Sequence, residues 1–178
     1  MDALKNRIVV ITGPRHSGKT SAARALGKIL GWLTVDLDEL VERQNGKSPR
    51  ELFIEGPEIF RKAEALALSS LLNQAEGPLI VSAGGGLIDN EKAMPHLVEA
   101  KTPGLLIVYL EINAESAWRR VLADGELPPF LNTENPKETH FALHSRRSES
   151  YRAIANLTIS AENKSPEEIA REICTRLM

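Results

Sequence analysis

The sequence predicts an α/β fold in which helices cover both faces of a five-stranded parallel sheet, giving three layers. Short apolar runs alternate with helical patterns along the chain, and parallel strands joined by crossover helices produce this alternation. The first apolar run also leads directly into a glycine-rich loop. The chain has 178 residues, of which 42% are hydrophobic, which is enough for one compact core and too short for two full domains. We therefore interpret residues 1–178 as a single domain.

The predicted elements follow one another in a regular order. Five apolar runs predict strands at residues 8–12, 33–35, 79–83, 105–110 and 157–159. Helical patterns cover residues 21–30, 39–44, 57–74 and 114–122, a segment that contains Arg147 and Tyr151, and a last stretch from Pro166. Capping residues support several boundaries. Gly31 suits a left-handed C-cap, Pro57 suits a first helical turn, and Ser165 with Glu168 predicts a capping box.

The stretch 124–137 fits no regular element. It is rich in glycine, proline and asparagine, a composition that predicts a long mobile loop. In a phosphoryl-transfer enzyme such a loop would act as a lid.

The loop after the first strand is the most specific motif in the chain. Residues 13–20 read Gly-Pro-Arg-His-Ser-Gly-Lys-Thr, a complete G-x-x-x-x-G-K-[ST] phosphate loop between a strand and a helix. Its backbone N–H groups would cradle phosphate oxygens, the lysine would reach the terminal phosphates, and the threonine could hold Mg²⁺. The predicted ATP contacts are therefore Gly13, Pro14, Arg15, His16, Ser17, Gly18, Lys19 and Thr20.

Composition favours small-molecule chemistry over a macromolecular partner. The net charge is −2 and no block of Lys or Arg stands alone, so we expect neither a nucleic acid nor a membrane as partner. A single cysteine, Cys174, excludes an internal disulfide, and no long apolar run is present. These features favour a cytoplasmic protein in which Cys174 is packed. His140 and His144 lack a third metal ligand, so we expect solvated side chains.

Two features at strand ends predict the pocket for a second substrate. Asp36 and Asp38 close the second apolar run, where open α/β sheets bind their ligands. Alternate positions on a strand would point both carboxylates the same way, one toward Mg²⁺ and one toward an acceptor hydroxyl. The alternative is a polar strand end with a helix N-cap. Gly84, Gly85 and Gly86 follow the third strand and would let a substrate approach the backbone closely; a flexible turn is their alternative interpretation.

Two arginines are weaker candidates when each is considered alone. Arg61 lies in the helical pattern 57–74, with Glu64 one turn later, and Arg147 lies after the predicted lid. Each is more often a solvated surface residue, and Arg61 with Glu64 could be an ordinary helical ion pair.

The order of these features resembles the shikimate kinase family over nearly the whole chain. That order is phosphate loop, Asp-Leu-Asp, Phe-Arg, triple glycine, Val-Tyr-Leu-Glu, lid and Arg-x-x-x-Tyr. The resemblance implies a P-loop kinase fold like that of nucleoside monophosphate kinases. It also implies ATP-dependent phosphorylation of shikimate to shikimate 3-phosphate in aromatic amino-acid biosynthesis, by a monomer.

The resemblance also implies roles for individual residues. Asp38 would bind the acceptor hydroxyls and act as base, next to Lys19 as the second catalytic residue. Arg61 and Arg147 would clamp the acceptor carboxylate, and Gly84, Gly85 and Gly86 would line the same pocket. Thr20, with Asp36 through water, would hold Mg²⁺ as the cofactor. Arg120, Lys164 and Pro166 would flank the adenine.

The lid departs from the family pattern. Shikimate kinases usually carry Arg-Pro-Leu-Leu there, and the arginine reaches over the ATP phosphates. The matching stretch 127–131 reads Leu-Pro-Pro-Phe-Leu, and no arginine lies between Arg120 and Arg146. An arginine finger is worth roughly 10³ to 10⁵ in rate in related reactions.

Three hypotheses therefore remain open. The first is a shikimate kinase in which Lys19 and Mg²⁺ suffice, helped by Arg119, Arg120, Lys137 or Arg146 approaching from another direction. The second is a P-loop kinase for another small hydroxylated acid or sugar. The third is a binding module that holds nucleotide and a shikimate-like acid with little catalysis.

Overall fold

A computed structural model describes residues 7–98 and 104–177 of the chain. The five strands are Ile8–Thr12 (β1), Leu33–Asp36 (β2), Leu79–Ser82 (β3), Leu105–Glu111 (β4) and Leu157–Ser160 (β5). The helices are Lys19–Leu30 (α1), Leu37–Asn45 (α2), Pro49–Glu55 (α3), Pro57–Asn73 (α4), Met94–Val98 (α5), Ala114–Ala123 (α6), Pro136–Ile154 (α7) and Pro166–Leu177 (α8). Two 3-10 turns, Leu87–Asp89 and Pro129–Leu131, complete the described elements.

The five strands form one parallel sheet, as the sequence predicts, and the structure gives their order as β2-β3-β1-β4-β5. The register pairs Asp36 with Ser82 and Ser82 with Ile11. The carboxyl ends of β2, β3 and β1 therefore lie at one edge of the sheet. The loops that follow these three strands meet there, which is where open α/β sheets bind ligands.

Helices cover both faces of the sheet, and β1 shows why its sequence is continuously apolar. Ile8 and Val10 pack into a core cluster with helices α2 and α4, whereas Val9 and Ile11 pack into a second cluster with α1 and α8. A strand buried on both faces has no need for polar residues. The three-layer prediction is thereby confirmed.

Several boundaries follow from capping chemistry. Gly31 adopts the left-handed conformation (φ 68°) that ends α1, as expected. Ser165 and Glu168 make reciprocal hydrogen bonds with each other's backbone N–H before α8, so that predicted capping box is confirmed. Helix α3 was not predicted, although Ser48 and Glu51 form a capping box in front of it.

Three other expectations need correction. The short helix α5 was not predicted, and the lid segment contains a 3-10 turn and runs into α7, which starts at Pro136. The prediction that His140 and His144 have solvated side chains is wrong. His140 is buried against Trp118, with ring centroids 5.3 Å apart, and His144 is half-buried beside it.

Cys174 is buried, as predicted. Among the described residues, no helix is long and apolar enough to cross a bilayer.

Candidate active site

The phosphate loop turns between β1 and α1 and leaves the start of the helix open. Gly18 precedes α1 in a left-handed conformation (φ 90°), and no side chain caps the first turn, which also lacks acidic residues. The free N–H groups of such a helix start attract anions. His16 is the only non-glycine residue of the loop with a positive φ, at 60°, a conformation that histidine tolerates better than most residues.

Lys19 lies inside this loop. Its side chain is buried, and the ammonium Nζ donates a hydrogen bond of 2.7 Å to the carbonyl oxygen of Pro14. Burial lowers the pKa of Lys19 to about 8, although the nearby carboxylates of Asp38 and Asp36 oppose that shift. The lysine therefore stays positively charged at neutral pH in a site where its charge is costly. A polyanionic ligand such as a triphosphate would compensate that cost.

Thr20, Asp36 and Ser82 form a small oxygen cluster next to the loop. The Thr20 hydroxyl donates to Asp36 Oδ2 at 2.7 Å and lies 3.2 Å from Ser82 Oγ. Asp36 Oδ1 accepts the backbone N–H groups of Asp38 and Glu39 and so caps helix α2. Hydroxyl and carboxylate oxygens suit Mg²⁺, which usually takes few protein ligands and completes its shell with phosphates and water. Within residues 7–98 and 104–177, no cluster of three His, Cys, Asp or Glu could hold a metal alone.

Asp38 lies in the first turn of α2, so the prediction that it points along a strand with Asp36 is wrong. Strand β2 ends at Asp36 because that residue caps the helix, the alternative that the sequence left open. Asp38 is nevertheless directed into the site. A Cβ on Gly84 would lie 3.2 Å from Asp38 Oδ1 and 3.0 Å from Glu64 Oε1. Burial, with the charge of Asp36, raises the pKa of Asp38.

The triple glycine joins this carboxylate pair to the phosphate loop. A Cβ on Gly85 would lie only 2.9 Å from the backbone nitrogen of Arg15 and 3.3 Å from the carbonyl oxygen of Gly13. A Cβ on Gly86 would lie 3.4 Å from the guanidinium of Arg147. The three glycines therefore allow the β3 loop to pass between the phosphate loop and α7, which favours close approach over a merely flexible turn.

Both predicted clamp arginines reach the same cavity, where each is paired with an acid. Arg61 bonds Glu58 at 2.7 Å, and not Glu64 as the helical spacing suggested. Arg147 holds Asp89 at 2.8 Å, and Arg146 binds the same carboxylate. These guanidinium groups stand at the cavity wall, where another carboxylate could exchange with their present partners.

Sequence reasoning did not identify Glu64 as a buried acid of the site. Its side chain is 1% exposed, and Oε2 accepts a hydrogen bond of 2.8 Å from Asn90 Nδ2. Oε1 has no hydrogen-bond partner among the described residues. Burial raises the pKa of Glu64 to about 7, and the charge of Asp38 contributes to that shift. The i,i+3 spacing to Arg61 was the only sequence signal, and it suggested the wrong partner.

The lid lies over the cavity and contacts the phosphate loop, α3 and α7. Asp124 pairs with Arg15 at 3.2 Å, Glu126 pairs with Arg50 of α3 at 2.7 Å, and the ring of Phe130 lies 5.4 Å from the Arg147 guanidinium carbon. The resulting cavity has a volume of about 460 Å³, within the usual range for small-molecule sites. Its described lining includes Arg15, Lys19, Thr20, Asp36, Asp38, Arg50, Arg61, Glu64, Gly84, Gly85, Gly86, Asp89, Phe130 and Arg147.

The residues expected near adenine lie outside this lining. Arg120 does reach the phosphate loop, because its guanidinium donates to the carbonyl oxygen of His16 at 2.8 Å. Lys164 instead pairs with Glu172 at 2.6 Å, and Pro166 begins α8. The structure thus brings Arg120, and neither of the other two, into contact with the loop.

The chain is similar to known kinases over almost its full length. A sequence model of the family described as shikimate kinase matches residues 15–178. The shikimate kinase of Thermobifida fusca (strain YX) is 36% identical over 171 residues, which are 96% of this chain and 94% of the relative. That of Salinispora arenicola (strain CNS-205) is 34% identical over 171 residues, covering 96% and 97% respectively.

Solved structures show the same likeness. Shikimate kinase from Acinetobacter baumannii in complex with shikimate has a TM-score of 0.84 and 28% identity, with 96% of this chain and 92% of that one covered. A gluconokinase from Sinorhizobium meliloti 1021 has a TM-score of 0.65 and 21% identity, with 97% and 93% covered. At that identity the second likeness concerns the fold alone.

Proposed function

We propose that this chain, which belongs to the shikimate kinase family, transfers the γ-phosphate of ATP to a hydroxyl group of shikimate. The product is shikimate 3-phosphate, used in aromatic amino-acid biosynthesis. One observation carries the assignment of this cavity as the reaction site. The loop Gly84–Gly86 touches the phosphate loop on one side and the Asp38 carboxylate on the other. A triphosphate on the first and a hydroxylated acid against the second would meet within one cavity.

The nucleotide side follows from the open start of α1 and from Lys19. Residues 13–20 would wrap the β- and γ-phosphates, and the buried Lys19 ammonium would exchange the Pro14 carbonyl for phosphate oxygens. Mg²⁺ is the proposed cofactor. Thr20 would hold the ion and Asp36 would orient its water; when bound, it would neutralise charge on the β- and γ-oxygens. Arg120, Lys164 and Pro166 remain the proposed adenine contacts, with the contact of Arg120 to His16 supporting only the first.

The acceptor side follows from Asp38 and the two arginines. Asp38 would accept the proton of the attacking hydroxyl, and its raised pKa makes it a stronger base than an ordinary aspartate. Arg61 and Arg147 would bind the acceptor carboxylate with charge-assisted hydrogen bonds. The acceptor would replace Glu58 and Asp89 as the partner of these guanidinium groups.

We further propose a monomer that acts in the cytoplasm, where ATP is supplied and Cys174 stays reduced. The acidic net charge of −2 supports small-molecule partners in preference to nucleic acid.

The decisive experiment is the release of ADP from ATP and Mg²⁺ in the presence of shikimate. We expect turnover that requires shikimate and disappears in Lys19→Ala, while Lys62→Ala, which changes an exposed lysine on α4, retains it. Gluconate in place of shikimate tests another small hydroxy acid. Turnover with gluconate but not with shikimate would favour the second hypothesis, a P-loop kinase for another small hydroxylated acid or sugar. A folded, ATP-binding protein that releases no ADP with either acid would leave the binding-module hypothesis.

A further inference from the structure

We propose that Arg15 of the phosphate loop contacts the transferring phosphoryl group and supplies the positive charge that the lid of this chain lacks. The inference rests on the proposed kinase function. In this proposal the positive charge comes from the phosphate loop itself, whereas a lid arginine would bring that charge only when the lid closes.

The position of Arg15 is the first support. Its backbone nitrogen is the atom that a Cβ on Gly85 would approach to 2.9 Å, so Arg15 lies where the phosphate loop meets the acceptor loop. Its side chain lines the same cavity as Lys19 and Asp38. The γ-phosphorus must sit between the nucleotide and the acceptor hydroxyl. Of the phosphate-loop residues that meet Gly85, which are Gly13, Pro14 and Arg15, only Arg15 has a charged side chain.

The charge of Arg15 affects one group on the nucleotide side of the cavity and one on the acceptor side. Burial is the largest influence on the pKa of Lys19 and of Asp38, but the Arg15 guanidinium also lowers both values. A cation that acts on the phosphate-binding lysine and on the proposed base is close enough to act on a phosphoryl group between them.

The guanidinium is also weakly held. Its carboxylate partner is Asp124 at 3.2 Å, in a pair whose side chains are 51% and 44% exposed, and its Nε contacts the His16 ring at 3.1 Å. Ion pairs between exposed side chains are easily exchanged. The γ-phosphate carries more charge than one carboxylate and could take over the guanidinium.

The other candidate cations already have partners. Arg50 holds Glu126 and the Leu127 carbonyl of the lid. Arg119 and Lys137 both lie near Glu115, and Arg146 binds Asp89. Arg120 contacts the phosphate loop through the His16 carbonyl. These last four are the helpers that the sequence suggested, and none of them is among the described residues that line the cavity.

The proposed step balances without a further reactant. The acceptor oxygen bonds to the γ-phosphorus while the bond from that phosphorus to the β,γ-bridging oxygen breaks. Asp38 takes the hydroxyl proton and ADP leaves. Arg15 forms no covalent bond; its N–H groups neutralise the charge on the non-bridging oxygens, which is largest in the transition state.

Nucleotide binding tests the contact without any acceptor. We would measure the dissociation constants of AMP-PNP and ADP, with Mg²⁺, by calorimetry for wild type, Arg15→Met and Arg43→Met. A lost charged contact to the γ-phosphate should weaken AMP-PNP about 10-fold or more. ADP should be unaffected, as should both nucleotides in the control Arg43→Met, which changes an exposed arginine of α2 outside the cavity lining. Equal weakening of both nucleotides, or of neither, would overturn the proposal.

Turnover tests the transition-state role. With shikimate saturating, kcat of Arg15→Met should fall roughly 10³-fold with little change in the KM for shikimate, and Arg15→Lys should recover part of the loss. An unchanged kcat in Arg15→Met, beside a large loss in Arg50→Met, would assign the charge to α3 and refute the proposal. If wild type binds AMP-PNP through Arg15 but ignores shikimate, the contact stands and the proposed acceptor fails.

Discussion

Replacing Lys19 by methionine should stabilise the nucleotide-free protein while abolishing its activity. The pKa of Lys19 falls from 10.5 to about 8 because the ammonium is buried. At about 1.4 kcal/mol per pKa unit, the fold loses about 3 kcal/mol by keeping this group charged at pH 7. That value already includes the attraction of Asp38 and Asp36. Losing the hydrogen bond to the Pro14 carbonyl costs about 1 kcal/mol, which leaves a net gain of about 2 kcal/mol.

The gain should depend on pH with a definite sign. Below pH 8 the lysine is protonated in both the folded and unfolded states, so the whole penalty is present. Between pH 8 and 10.5 the folded protein releases the proton while the unfolded chain retains it, and the stability of wild type rises. The advantage of Lys19→Met should therefore shrink over that interval.

Urea unfolding at pH 7 and at pH 10 measures both effects, with the exposed Lys62→Met as the matched control. For a chain of this size, about 2 kcal/mol corresponds to roughly 4–8 °C in Tm. A Lys19→Met protein that is less stable than wild type at pH 7, or one whose gain is the same at pH 10, would refute the electrostatic reasoning.

Three further predictions concern the same cavity. Gly85→Ala should cost about 1–3 kcal/mol of stability and weaken ATP binding, because its Cβ would press on the Arg15 backbone at 2.9 Å. Gly77→Ala, which meets open space, is the control for thermal unfolding and calorimetry, and equal effects would contradict the close approach. Glu64→Gln should stabilise the protein by about 3 kcal/mol above pH 7 and little near pH 4.5, because burial raises the pKa of this carboxyl from 4.5 to about 7; a gain in urea unfolding that is independent of pH would be inconsistent with this cause. Asp38→Asn should lower kcat roughly 10² to 10⁴-fold with shikimate affinity retained, and an unchanged kcat would reduce Asp38 to a positioning residue.

The fold was predictable because its signals are local. The strands β1, β3 and β4 are largely apolar runs, and the phosphate loop needs only its eight residues and the elements beside it. The error at Asp38 arose from the same locality. Alternation along a strand was assumed to continue through residue 38, whereas Asp36 ends β2 by accepting two backbone N–H groups of the next helix.

The rest of the site depends on contacts between distant segments. Glu64 owes its raised pKa to burial beside Asp38, and that burial depends on how α4 packs against α2. Arg50 meets Glu126 across 76 positions of sequence, and no spacing rule links them. The capping box of Ser48 and Glu51 was a readable local signal for α3, and recognising it would have placed Arg50 on a helix.

The lid is anchored at its midpoint. Leu131 is fully buried and packs with Trp118 and Val121 of α6, while residues 124–128 carry the two ion pairs to Arg15 and Arg50. The segment is therefore two short arms on either side of a fixed point, and each arm has far fewer conformations than a free loop of the same total length. If the lid opens for substrate exchange, the proximal arm can move while Leu131 stays in place, and the small number of conformations of this short arm keeps the entropic cost of closing low.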